Sequence, residues 1–288
     1  MEAWIVYYRD GAKYNQQYIR FYIEEGNKLG INVKLILVED LNFGVKNNHW
    51  FLHYQNNDIG YPDFVICRAI YPLLSKQFEL LGIRVFNNSF VAEICNDKAR
   101  TYQYLAKTGI KMVDSSFFKN LQVREKLFQA TSPTIIKAVD GHGGNQVFSI
   151  DEITRNRLNI LKGLGNSDVV IQPLIGNRHQ DLRVYVIGKE IIAAVLRTAK
   201  IGFKSNFSLG GQVALYELSE DEINIVNLII NQFDFDFVGI DFIIGDEGEF
   251  IFNEIEDVVG ARMLYQCSDI NIVERYLRYI IHTLVKNN

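Results

Sequence analysis

In the segment TIIKAVDGHGGNQVFSI, Lys137 lies inside an apolar run shortly before Gly141, Gly143 and Gly144. A lysine in an apolar strand needs an anionic partner or an exit to water. Backbone N–H groups of a glycine-rich turn can come close to phosphate oxygens, and the lysine would add a point charge. The pattern GxxxxGK[ST] is absent, so this is no Walker loop. An edge-strand lysine ahead of a plain loop would leave the same trace. His142, inside the turn, reads as a loop residue and not as a ligand or base.

The hairpin GIDFIIGDEGEFIFNEIED carries a second pattern. Residues two apart on a strand share a face, roughly 6.5 Å apart. Glu254 and Glu256 therefore project together, with Asp241 opposite or diagonal on the partner strand. On this reading Phe252 shares their face, and Ile251, Asn253 and Ile255 point to the other. Three carboxylates repel one another unless a cation sits between them, and such oxygens suit Mg²⁺. The competing reading is an acidic solvent face. A third pattern runs from Asp181 to Gly211: Asp181, Arg183 and Tyr185 share a strand face, Arg197 ends the next strand, and AKIGFKSNFSLGGQ follows. Its cations could meet a triphosphate or a developing oxyanion, although a solvated hairpin and loop would look similar.

The elements that must position these residues fall into three stretches. In 1–95, the apolar runs 3–8, 33–38 and 63–67 read as strands, with a helix over 14–29 between the first two. Strand, helix, strand points to a parallel sheet. The first strand is not followed by GxGxxG, so this Rossmann-like unit is not expected to hold phosphates. In 96–172, Asp97 can open a helix that Gly109 ends, before strands at 134–139, 146–150 and 168–172. In 173–288, DLRVYVI and EIIAAVLR flank a Gly188-Lys189 hairpin turn, and Ser219 with Glu222 forms a capping box for a helix at 220–232. The closing helix carries the stripe Ile272, Val273, Tyr276, Leu277, Ile280, Ile281, Leu284 and Val285.

Composition excludes several classes. Of the 288 residues, 48% are apolar and 22% charged, which argues against disorder. The net charge of -4 comes with scattered basic residues, so no nucleic-acid partner is expected. Three separated cysteines without a CxxC pair read as reduced thiols. The N-terminus has no signal-peptide pattern and the apolar runs are strand-sized. No membrane partner is expected, and cytoplasm is the default location.

In order along the chain these residues resemble the ATP-grasp superfamily, most closely its RimK-type amino-acid ligases. The resemblance runs from about Asp63 to Gly260. It implies an α/β (α+β overall) ATP-grasp fold: an N-terminal pre-ATP-grasp domain, 1–95, and two subdomains, 96–172 and 173–288, clasping ATP. Lys98, in NNSFVAEICNDK, and Lys137 match the two family lysines at ATP phosphates, above which Gly141, Gly143 and Gly144 would form the loop. VVIQPLI resembles the hinge that reads adenine, nominating Gln172, Pro173 and Leu174. DLRVYVIG resembles the DxRxxVxG strand, giving Asp181 a nucleotide role and Arg183 a substrate role. FKSNFSLGG resembles RSN…GG and places Lys204, Ser205 and Asn206 near the phosphates. GIDF and NEIE resemble the metal-binding D…ExN, giving Asp241, Glu254 and Glu256 as ligands of Mg²⁺, with Mn²⁺ as substitute. Two departures stand out: Glu256 replaces the usual asparagine, and DVVGARML replaces the usual SPG turn.

What the resemblance implies is an ADP-forming ligase joining a carboxylate to an amine through an acyl phosphate. Arg183 or Arg197 would stabilise the oxyanion, and Arg68 would bind the first substrate's carboxylate. The substrates are small carboxylates and amines, with a peptide or protein tail as another acceptor, and a homo-oligomer remains open. The alternatives are a small-molecule kinase on this scaffold and a non-catalytic ATP-binding regulator.

Overall fold

The computed structural model describes residues 1–123, 134–144, 146–150, 157–176, 180–198 and 212–286. The chain opens with β1 (Glu2–Tyr7), whose run of buried residues from Ala3 to Tyr7 marks a strand covered on both faces. The single helix expected over 14–29 is two, α1 (Arg9–Tyr14) and α2 (Gln16–Lys28), broken at Asn15. The Asn15 side-chain amide donates back to the Gly11 carbonyl at 2.9 Å, a local bond that competes with helix continuation. After β2 (Asn32–Leu37) comes a meander that sequence reading did not anticipate: β3 (Leu41–Lys46), β4 (His49–Tyr54) and β5 (Asn57–Asp58). Its turns, Asn47-Asn48 and Gln55-Asn56, have positive φ at both central residues, the geometry that two-residue hairpins favour.

The parallel sheet is completed by β6 (Phe64–Cys67) and, beyond α3 (Pro72–Leu80), by β7 (Arg84–Phe86), in the order β2-β1-β6-β7. Helices α4 (Ser89–Cys95) and α5 (Lys98–Leu105) follow. Asp97 caps α5, accepting from the Arg100 N–H at 3.0 Å. A second, antiparallel sheet in the order β10-β9-β11-β8 consists of β8 (Ser116–Phe118), β9 (Thr134–Ala138), β10 (Val147–Ile150) and β11 (Val169–Pro173). Helix α6 (Arg157–Leu164) precedes β11.

The third sheet, in the order β14-β13-β12-β15-β16, comprises β12 (Gln180–Ile187), β13 (Glu190–Thr198), β14 (Gln212–Tyr216), β15 (Phe237–Ile244) and β16 (Phe250–Glu256). Helix α7 (Glu220–Ile230) begins with the expected capping box of Ser219 and Glu222. Leu182, Val184, Ile240 and Phe242 turn one face of this sheet toward α4, α5 and α7. Tyr185, Val195 and Phe237 turn the other toward α8 (Arg262–Cys267) and α9 (Ile272–Lys286), and their core continues into Ala3, Ile5, Tyr22 and Phe64. The stripe of α9 therefore serves two sheets at once. No helix among the described residues is long and apolar enough to cross a membrane.

Because that core is shared, the first and last parts of the chain should unfold together. Phe237 is buried and lies 5.0 Å from Tyr276, centroid to centroid. Phe237→Ala should cost about 3–5 kcal/mol. Both tryptophans, Trp4 and Trp50, belong to the first ninety residues. In urea, fluorescence and far-UV dichroism should lose midpoint equally. A fluorescence midpoint that stays put while dichroism shifts would show that the core does not couple the two ends.

Candidate active site

Cross-strand register builds the centre of the site on the third sheet. Asp181 pairs with Arg197, Arg183 with Asp241, and Asp241 with Glu254, so alternating charges meet along one face. The Asp241 carboxylate is 1% exposed and accepts from Arg183 Nε and Nη2 and from Arg197 Nη2, each at 2.7 Å. Arg183 also reaches Glu256 Oε1 at 2.7 Å, and Arg197 is paired with Asp181. Gly239 makes room for this cluster. A Cβ there would lie 2.6 Å from Val259 Cγ2 and 3.2 Å from Arg183 Cδ, so a side chain would push the guanidinium away.

A register shift between Asp241 and Phe242 corrects the strand reading of β16. Asn253 is the extra residue, and the alternation reverses there. Phe252 joins the core beside Tyr102 and Phe242, while Asn253 turns to the acidic side with Glu254 and Glu256. Asn253 was assigned to the opposite face from strict alternation, and a bulge leaves no mark in that pattern. Its Oδ1 accepts from Lys137 Nζ at 2.8 Å.

Facing this centre are the Gly turn and α5. Gly143 and Gly144 have φ of 63° and 75°, a backbone that glycine adopts without strain. Lys98, at the start of α5, reaches back to the Gly141 carbonyl and lies 3.0 Å from Glu254 Oε2. The hinge segment lies alongside: the Gln172 amide donates to the hydroxyls of Tyr102 at 3.0 Å and Ser115 at 2.8 Å, and Leu174 is partly exposed. A cleft enclosing about 960 Å³, part of it open to solvent, brings together Lys98, Lys137, Gly141, Gly143, Gly144, Gln172, Pro173, Leu174, Asp181, Glu254 and Glu256. Lys204, Ser205 and Asn206 lie outside the described residues.

A second pocket of about 760 Å³, much of it open to solvent, adjoins it, sharing Gly143 and Glu256. Arg183 and Arg197 line this pocket with the α1–α2 elbow and residues 260–263. Arg68 sits behind it. The Arg68 guanidinium donates to the Val259 carbonyl at 2.9 Å and the Tyr7 hydroxyl at 3.3 Å, and lies 5.3 Å from the Tyr18 ring centroid. In this geometry Arg68 holds the turn that follows the acids.

The acids titrate differently. Burial would raise Asp241, but the two guanidiniums outweigh it and hold the carboxyl down at about 2. Glu254 is pushed up by burial yet ends below its ordinary value because of Lys98 and Lys137. Burial lifts Glu256 above its ordinary value; Arg183 opposes this, and Asp241 and Glu254 reinforce it. Burial also lowers Lys137 to about 8, helped by Lys98 and opposed by Glu254.

One oxygen from each of Asp241, Glu254 and Glu256 lies within 4.8 Å of the others. Glu254 pairs with Lys98 through Oε2 and Glu256 with Arg183 through Oε1, whereas both Asp241 oxygens already accept from arginine. Hard oxygen donors of this kind fit Mg²⁺.

Comparison with known proteins identifies the family of the chain. The RimK-like ATP-grasp domain matches residues 95–280. The chain is 30% identical to the uncharacterized protein MG011 of Mycoplasma genitalium, over 99% of this chain and 94% of that protein. It is 28% identical to a probable alpha-L-glutamate ligase of Legionella pneumophila, over 71% of this chain and 69% of the relative. The fold is also that of the ATP-grasp ligase PsnB, solved with a phosphomimetic variant of its minimal precursor, Mg and ADP. That structure matches with TM-score 0.69 at 17% identity, covering 98% of each chain. The chain belongs to the RimK-like ATP-grasp family, whose members are ADP-forming carbon–nitrogen ligases.

The two kinds of acid should respond differently to neutralisation. Asp241→Asn leaves two buried guanidiniums without their shared counter-ion and should cost about 3–5 kcal/mol. Glu256→Gln removes a charge that burial already disfavours, so it should change stability by less than about 1 kcal/mol. Urea unfolding of both variants at pH 7, without ligands, checks this. Equal losses would show that Asp241 is not the buried anchor.

Proposed function

We propose that this chain joins a carboxylate to an amine through an acyl phosphate formed from ATP. The observation carrying the proposal is that two pockets meet at one acidic face. The cleft with two lysines, a Gly turn and the hinge segment suits a nucleotide, and the pocket lined by Arg183 and Arg197 suits the reacting substrates. The similarity to a probable glutamate ligase supports amino-acid chemistry, and that to PsnB supports peptide chemistry. The 1–95, 96–172 and 173–288 stretches would be the pre-ATP-grasp domain and the two clasping subdomains.

ATP would lie with adenine at Gln172–Leu174 and its phosphates beneath Gly141–Gly144, met by Lys98 and Lys137. Glu254 and Glu256 would hold Mg²⁺ through their carboxylates, with Asp241 as the third carboxylate. When bound, the ion would neutralise phosphate charge during transfer. The substrate carboxylate oxygen attacks the γ-phosphorus, the bond to the β–γ bridging oxygen breaks, and ADP leaves. The amine lone pair then attacks the acyl carbon, the carbon–oxygen bond to phosphate breaks, and the amine gives its proton to solvent. Arg183 and Arg197, fixed by their carboxylates, would orient the donor carboxylate and stabilise the oxyanion. Lys204, Ser205 and Asn206 would contribute beside the phosphates, and Arg68 would support the substrate turn or contact the first carboxylate.

Turnover should require three components together. ADP should form appreciably only when a carboxylate, an amine and Mg²⁺ are all present, as a screen of paired amino acids and small acids would read. Equal release with the amine omitted, for substrates that turn over, would make the chain a kinase or ATPase.

Lys137 gives a pH test. Its ammonium is the form that attracts phosphate, and burial lowers its pKa to about 8. Affinity for ADP should be full below pH 8 and fall as pH rises through 8 toward the higher pKa of the bound state. Lys137→Met should weaken binding by about 1–3 kcal/mol, flatten this dependence and leave apo melting temperature nearly unchanged. Calorimetry from pH 7 to 9.5 reads the first two. Loss of apo stability with ADP affinity retained would make Lys137 structural.

A further inference from the structure

One strand of the acidic hairpin ends before the other. Gly239 and Glu256 are its last pair, and the same register carried on would set Phe237 opposite Val258. β15 does run on to Phe237, still paired with β12, but β16 has already left. The side chain of Asn87, just beyond β7, takes the place of that partner. Its amide donates to the Phe237 carbonyl at 2.8 Å, and its Oδ1 accepts from the Phe237 N–H at 3.0 Å. Exchange of both bonds with one residue is what a strand partner does in an antiparallel ladder. The same amide donates to the Asp257 carbonyl at 3.2 Å, and Oδ1 also takes the Asp236 N–H at 2.7 Å. Both donors and both lone pairs of this buried side chain are thereby used.

The path of the chain beyond β16 is held in the same way. The Val259 carbonyl accepts from Arg68 Nη2 at 2.9 Å, the Val258 carbonyl more weakly at 3.5 Å, and the Gly260 carbonyl from the Tyr185 hydroxyl at 3.0 Å. Four consecutive carbonyls, 257–260, thus rest on side chains from three different strands or their ends. Arg68 and Asn87 stand just past the carboxyl ends of the neighbouring parallel strands β6 and β7, where open α/β sheets ordinarily receive a ligand. Here that place receives the chain's own turn. Residues 260–263 continue from it and line the pocket of Arg183, Arg197 and Glu256, but not the cleft of Lys98 and Lys137. We infer that Asn87 is a positioning residue: it ends the pairing of the acidic hairpin at Glu256 and, with Arg68 and Tyr185, carries residues 260–263 to the wall of the second pocket. That this pocket receives the reacting substrates rests on the function proposed above; the hold on its wall does not.

Methionine methyl resonances read that hold, because the chain has three methionines. Met263 lines the pocket, Met112 bridges to Phe252 of β16, and Met1 precedes β1. In the full chain, labelled with ¹³C at the methionine methyls and free of ligand, Asn87→Ala should move the Met263 resonance and leave those of Met112 and Met1 in place. Tyr185→Phe loses only its hydroxyl bond to Gly260; it should also move Met263, and it decides the matter should Asn87→Ala not fold. For a substrate pair that turns over, Asn87→Ala should lower kcat about tenfold or more, as displacement of a reacting group does, with the KM for ATP unchanged. A Met263 resonance that stays put, three resonances that move together, or a loss confined to the KM for ATP would each overturn the inference. Absence of turnover by the parent with every pair would instead count against the ligase reading, and the resonances would still decide the role of Asn87.

Discussion

The Asp241 carboxylate is shared by two arginines in a place that water scarcely reaches, and much of the site takes its position from that contact. Arg183 and Asp241 are neighbours across β12 and β15, and Arg197 joins from β13. A buried ion network of this kind is expensive to desolvate, and apolar residues often stabilise a fold as well or better. Its value here is positional. The bonds to Asp241 aim two long, otherwise mobile side chains at the pocket beside Glu256, where preorganised charge would serve the acyl transfer proposed above.

The network also changes the charge reckoning of the acidic face. Asp241, Glu254 and Glu256 alone would be a mutually repelling set at -3, the balance suggested by their sequence. Around them stand Lys98, Lys137, Arg183 and Arg197, while Asp181 adds one more negative charge. Four cations face four anions. Like-charge strain is therefore not shared equally: the arginines depress Asp241, the lysines depress Glu254, and Glu256 alone is left raised. Glutamate at 256 is thus compatible with the fold because Arg183 lies 2.7 Å away.

Much of this was legible in the sequence, for identifiable reasons. Lys137 stands out because lysine is rare in an apolar strand, and Glu254 with Glu256 because period-two alternation places them together. The Ser219 capping box and the Gly188-Lys189 turn are local signals, and local signals survive without tertiary context. Features that depend on pairing were less visible. Asn253 was assigned to the wrong face since a bulge arises between two strands, and no pattern within one strand records it. The meander at 41–58 was missed because its turns use Asn and Gln at positive φ, without the Asn-Gly signal. The ion pairs of Asp241 needed the register of three strands.

The elbow at Asn15 illustrates how a local departure reaches the site. Helical periodicity over 14–29 was sound, since Tyr18, Phe21, Tyr22 and Leu29 do face inward; the Asn15 side chain nevertheless bonds Gly11 and ends one helix before the next begins. A continuous helix would carry Tyr14 and Asn15 along a different direction from the one observed. With the break, they meet Arg262, which follows the acids by only a few residues. The N-terminal unit lacks the GxGxxG pattern, yet Tyr14, Asn15 and Tyr18 supply one wall of the second pocket. On the function proposed above, nucleotide and substrate would be specified by different parts of the chain, the two pockets sharing Gly143 and Glu256 among the described residues. Changes to the elbow or to residues 260–263 would alter what is joined while leaving intact the cleft that suits ATP.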